Sequence, residues 1–233
     1  MVTETDVARL RGKHESYLTD HYVGLHNMVV SVALAVAGVA AASLLGLPSP
    51  FHAFAVLLWM MLGTSLLAIA VAYAGTVTGA PFLPARLPAM PDLMLPLLLA
   101  VTEFFLFGVL AHQVSAVASP QATVTSWYVV SSCFGVFAAL SILRARSVIN
   151  GGWYSDELRS TVVWYSRRLS RDAAAALSTA VVSILPIVFL SAARSVPATL
   201  DYIVVSVLAG QYCLGFGSHS STRKGLMRAL QGH

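Results

Sequence analysis

Along this chain, hydrophobic positions gather into long unbroken runs divided by short polar stretches, without the period-2 alternation of a half-buried strand. An α-helix rising 1.5 Å per residue needs roughly 20 apolar residues to cross a hydrocarbon layer of ~30 Å. Six runs approach or exceed that length, near 27–46, 52–74, 94–112, 127–143, 174–193 and 199–217. The pattern predicts an all-α polytopic membrane protein with six transmembrane helices. The first run follows a long polar segment and lacks both a charged start and a small-residue cleavage site, so it reads as a retained span rather than a signal peptide.

The polar stretches set the expected orientation. With the N-terminus inside, every Lys and Arg except Arg194 falls on the cytoplasmic side: Arg9, Arg11 and Lys13, then Arg86, then the group from Arg144 to Arg171, then Arg223, Lys224 and Arg228. Basic loops resist translocation, so both termini are expected in the cytoplasm, as in a multi-pass protein of a bacterial inner (plasma) membrane. The net charge of +4 then follows from topology. No folded reader domain accompanies the basic residues, which excludes nucleic-acid binding from the expectation.

Between the runs lie three kinds of segment. Residues 1–26 are expected to form a cytoplasmic amphipathic helix, with Thr3 and Asp6 in a capping-box pattern and Val7, Leu10, Tyr17, Leu18, Tyr22 and Leu25 at helical spacing. Residues 75–91 carry Pro81, Pro84, Pro88 and Pro91 and read as a stiff, extended connector. In 144–172, Trp153-Tyr154-Ser155 returns eleven residues later as Trp164-Tyr165-Ser166, close to three helical turns. Trp153, Tyr154, Trp164 and Tyr165 would share one face beside Arg167 and Arg168, as in an interfacial helix on anionic lipid or a dock for a cytoplasmic protein partner. Gly151-Gly152 before it reads as a hinge or the end of the fourth span. The expected division is a six-helix domain over 27–217, including that interfacial segment, followed by a basic tail over 218–233.

Composition narrows the functional classes. The chain is 57% hydrophobic and 10% charged, against about 25% charged in ordinary soluble domains, and its mean hydropathy is +0.76. That leaves no room for a separate soluble catalytic domain. There is no hydrolase constellation, phosphate loop or intramembrane protease motif, so the expectation is not an enzyme. Cys133 and Cys213 fall inside apolar runs, without disulfide or metal spacing. The preference for Arg over Lys and the abundant Ala point to a GC-rich bacterial genome.

Candidate chemistry centres on Glu103, near the middle of the third run. An ionised carboxylate at that depth costs roughly 2.5–3.5 kcal/mol on insertion scales, so it should be neutral, paired or facing water. No run carries Lys or Arg at comparable depth. Glu103 is therefore an ion- or proton-binding candidate, with Thr102, Thr64 and Ser65 as companions, or else a protonated interhelical bond. Asp201, one turn into the sixth run, is either paired with Arg194 or a vestibule charge that draws in cations. His52 and His112 fall at expected outer ends, and His26 and His219 at inner ends. The pairs match the layout of a dihaem membrane cytochrome, although haem ligands usually lie deeper and boundary histidines are commonly interfacial. No cofactor is otherwise expected, and no metal.

Cys213-Leu214-Gly215-Phe216-Gly217 has the look of a potassium-channel filter, but it lies at the inner face with no lining helix after it, so the glycines are expected to end the last helix. Ser31, Ala35, Gly38 and Ala42, and separately Thr64, Ala68 and Ala72, form small-residue stripes that permit close helix approach, within one subunit or in a homo-oligomer. Pro186 should kink the fifth span. These features lead to an expected channel or transporter for a cation, proton or small solute with Glu103 as its buried titratable group. The alternatives are a membrane scaffold or sensor recruiting partners through cytoplasmic helices, and a bis-His haem electron carrier.

Overall fold

The computed structural model describes residues 24, 27–47, 49–79, 83, 89–115, 120–152, 156–193 and 198–231. Six helices account for nearly all of them: α1 (Asn27–Leu45), α2 (Ala53–Gly79), α3 (Met90–Ser115), α4 (Pro120–Asn150), α5 (Asp156–Ala193) and α6 (Ala198–Gln231). There is no strand among the described residues. Each helix is long and apolar enough to cross a membrane by length and composition. The outer surface is apolar too, with Phe105, Val181, Leu185, Ile203 and Leu214 exposed, a distribution suited to lipid contact in a membrane-embedded chain.

Local chemistry sets the helix ends. Helix α1 stops at Gly46, whose N–H bonds Ala42 O at 3.0 Å. At the start of α3, Pro91 tolerates the first turn and Asp92 Oδ2 accepts the Ala89 N–H at 2.8 Å, one half of a capping box. Asp92 also binds Arg144, whose Nε lies 2.6 Å from Asp92 Oδ1, and so ties the start of α3 to the last turns of α4. Helix α4 ends at Asn150, where Gly151 and Gly152 return their N–H groups to Ser147 and Ile149. Within α2, the hydroxyls of Thr64, Ser65, Thr76 and Thr78 bond carbonyls four residues back, so an apolar helix carries them without an unsatisfied donor.

The helices close into a ring. α2 touches α3, α3 touches α4, α4 pairs along its length with α5, α5 touches α6, and α6 returns to α2. The tightest seam is α4 against α5, where a Cβ on Gly135 would lie 2.7 Å from Ala176 O and from Ala180 N. Only glycine permits that backbone approach. One end of the ring is filled by a large apolar cluster including Leu57, Met61, Phe107, Leu110, Trp127 and Tyr128, and α1 adds its Ala33, Ala37, Ala40 and Leu44 face to it. A smaller cluster of Ile149, Val162, Tyr165 and Leu169 lies at the other end, which also carries Arg144, Arg146, Arg159, Arg167, Arg168 and Arg171.

Several expectations change. The segment 144–172 is not a separate surface helix: α4 runs on to Asn150, and α5 is continuous from Asp156 into the fifth apolar run. Arg and Glu lower hydropathy yet are good helix formers, and the paired α4 and α5 support each other beyond the apolar limits. Gly215 and Gly217 do not end α6, which passes through both to Gln231 and takes up most of the expected tail at 218–233. Gly215 is used for contact, since a Cβ there would stand 3.4 Å from Val71 Cγ1. Pro186 does fall inside the helix of the fifth span, where the kink is expected. Of the two small-residue stripes, Ala68 and Thr64 are buried inside the ring, whereas Ser31, Ala35, Gly38 and Ala42 face outward. The amphipathic helix expected before 27 and most of the proline segment at 80–88 lie outside the described residues.

Candidate binding cavity

The ring surrounds a cavity of about 200 Å³ lined by all five of its helices. Helix α3 presents Pro96, Leu99, Ala100 and Glu103 to it, a single face at helical spacing. Helix α2 contributes the line from Ala68 to Gly79, and α4 the line from Phe134 to Ile149. Gly75 and Gly79 keep the α2 wall thin: Cβ atoms there would meet His219 Cε1 at 3.6 Å and Tyr165 Oη at 2.8 Å. The cavity thus extends from the Arg-rich end, at Gly79, Ile149, Tyr165 and His219, to the middle of the bundle at Glu103. Beyond Glu103, the cluster around Phe107 and Trp127 closes the ring.

Glu103 is fully buried, at 0% exposure, and neither carboxylate oxygen has a hydrogen-bond partner among the described residues. Other orphaned atoms lie along the same walls: Ser141 Oγ, Asp172 Oδ2 and His219 Nδ1. Buried polar atoms in folded proteins are satisfied in the great majority of cases, so the unbonded atoms of Glu103, Ser141 and His219 along one cavity mark it as a candidate binding place. Asp172 is approached by Arg168, with Nε 3.5 Å from Oδ2, near enough for attraction but outside hydrogen-bond geometry. Arg168 also donates to Thr222 and, at 2.8 Å, to Ser218 Oγ, clamping α5 to α6 at the Arg-rich end of the bundle. Deeper in, Thr179 and Gln211 bond each other at 3.3 Å.

The sequence-expected residues divide into those the cavity gathers and those it does not. Glu103 and Tyr165 line it, and His219, expected as an end-of-span histidine, is buried in its wall. Thr102 does not: its hydroxyl turns back to Leu99 O at 2.7 Å on its own helix. Thr64 and Ser65 are likewise bonded within α2 and do not line the cavity. Asp201 is buried at the far end, accepting the Tyr128 hydroxyl at 3.1 Å; Arg194 lies outside the described residues. Trp164 and Tyr165 leave α5 in different directions and are 48% and 2% exposed, so of this pair only Trp164 is exposed for lipid contact. Arg167 is exposed beside Trp164, while Arg168 turns inward. Trp153, Tyr154 and His26 are outside the described residues. His52 is exposed with its ring bonded to Ser49 O, and His112 is exposed at the end of α3. No group of three or more His, Cys, Asp or Glu among the described residues is arranged to hold a metal ion.

Asp172, Gln211, Ser141, Thr179 and Tyr212 are among the cavity residues that the sequence pattern does not single out. Asp172 had a signal: it stands one helical face-repeat from both Tyr165 and Thr179, where an acid ends an otherwise basic stretch. Comparison of the chain with protein-family models, curated proteins and solved structures returns no match.

Proposed function

We propose that the chain is a multi-pass membrane transporter, with both termini cytoplasmic, that carries a proton or small cationic solute and uses Glu103 as the binding group. The observation that carries this reading is the fully buried Glu103, both oxygens unpartnered, at the deep end of a cavity that begins at the Arg-rich end. A carboxylate used as interhelical glue would be bonded to a neighbouring helix; Glu103 is bonded to none among the described residues. The cavity stops at the cluster of Phe107 and Trp127, which favours a carrier with access from one side at a time over an open pore. The positive-inside pattern supports placing the entrance in the cytoplasm.

The test is proton and monovalent-cation flux in proteoliposomes from pH 5 to 8. Glu103→Gln keeps shape and hydrogen bonding but cannot ionise. It should leave a stable, assembled protein whose flux loses its pH dependence or cation preference, with Glu103→Asp retaining part of the activity. Identical profiles for wild type and Gln would reduce Glu103 to a structural residue and remove the proposal's main support.

A further inference from the structure

We propose that the ligand of this cavity is an amphiphilic organic cation, a small primary amine bearing one ring or a short apolar chain, with its ammonium on Glu103 and its apolar body along the α2, α3 and α4 walls. The inference rests on the reading of Glu103 as a ligand-binding group and adds the substrate class. A proton alone needs no 200 Å³ of space, which is the share of about seven waters at ~30 Å³ each. An inorganic divalent cation needs six or more oxygen ligands. The cavity wall is mainly carbon, including Val71, Leu99, Ala100, Phe134 and Ala138, with Thr179 and Gln211 already engaged with each other.

An anion is opposed at the deep end of the cavity, where Glu103 is the acid and none of the arginines lines the wall. The carboxylates of Glu103 and Asp172 both line the cavity, while the nearby cation Arg168 is held by Asp172, Ser218 and Thr222. A neutral apolar molecule would cover Glu103 without satisfying either of its oxygens, at the cost of a buried unpaired polar group. An ammonium donates up to three hydrogen bonds and supplies the opposite charge, so it answers both free oxygens at once. Apolar walls with a few convergent polar groups are the general form of a small-molecule site.

The test uses three probes on the full chain in lipid nanodiscs, by titration calorimetry: phenethylammonium, its neutral analogue phenethyl alcohol, and methylammonium. Phenethylammonium should bind at least tenfold more tightly than either of the others. Glu103→Gln should weaken it at least tenfold, and Ala138→Phe, which fills the apolar wall and leaves the carboxylate in place, should weaken phenethylammonium but not methylammonium. Equal binding of the alcohol would make this an apolar hollow, equal binding of methylammonium a small-cation site, and binding of none an unused space; each overturns the inference. If Glu103→Gln fails to assemble, the wild-type probe ranking and Ala138→Phe decide the matter. Glu103-dependent flux without amine preference would overturn this inference and leave the transporter reading standing, whereas flux indifferent to Glu103→Gln would overturn that reading itself.

Discussion

The indole N–H of Trp127 lies 3.0 Å from Ser65 Oγ, and the Ser65 hydroxyl passes its own hydrogen to Met61 O, so a fully buried polar edge is satisfied across α2 and α4. Interhelical bonds of this kind in membrane proteins average about 0.6 kcal/mol, because the unfolded chain in lipid also finds partners. A double-mutant cycle of Trp127→Phe and Ser65→Ala, read by thermal unfolding in mild detergent, should therefore give a coupling of about 0.5–1.5 kcal/mol, whereas strictly additive losses would mean the two groups do not interact. The contrast with Glu103 is instructive about what sequence can tell. Glu103 was legible because one carboxylate in an apolar run is a costly anomaly wherever the chain folds. Its companions were not, because Thr102 is adjacent in sequence yet points to its own backbone. Asp172 and His219 reach the cavity only through the packing of α5 and α6.

At the scale of helices, Gly135 determines how closely α4 and α5 approach. Gly135→Ala would place a methyl 2.7 Å from two backbone atoms of α5, which cannot rotate aside as a side chain can. The pair must separate, at a cost of about 1–3 kcal/mol typical of overpacking. Gly63→Ala on α2 has nothing within 4 Å and should be neutral or stabilising by up to about 1 kcal/mol, since Ala is the better helix former. Equal melting temperatures for the two variants would refute the close approach. Helix existence was readable from apolar length, but helix extent was not. Hydropathy marks where a chain tolerates lipid; the ladder of backbone bonds continues through Arg144, Arg146 and the turns after Asp156 because neighbouring helices hold them. Within the second Trp-Tyr pair, adjacent residues on a helix lie about 100° apart, so packing buries Tyr165 and exposes Trp164.

For the whole molecule, the cavity and the proposed orientation make a joint prediction about access. In a chain with Cys133 and Cys213 replaced by Ser, a cysteine at Ala145, on the cavity wall near the Arg-rich end, should react with a membrane-impermeant cationic thiol reagent only from the cytoplasmic side. A cysteine at Ser115, the last residue of α3, should react only from outside. Reversal at both sites would invert the topology and leave the ring intact; reaction of Ala145→Cys from both sides would mean a continuous pore.

The aromatic and aliphatic layer beyond Glu103 also determines where a membrane voltage would act. Electrical potential drops mainly across low-dielectric material, and here that material is the packed half of the ring around Phe107, Leu110 and Trp127. In the proposed carrier, a cation moving from the cytoplasm along the cavity to Glu103 would therefore cross less of the field, and its affinity there should respond weakly to voltage. The later passage through the packed half would carry most of the ~2.3 kcal/mol per charge that 100 mV supplies. In such a carrier the resting potential would act on the conformational step rather than on binding.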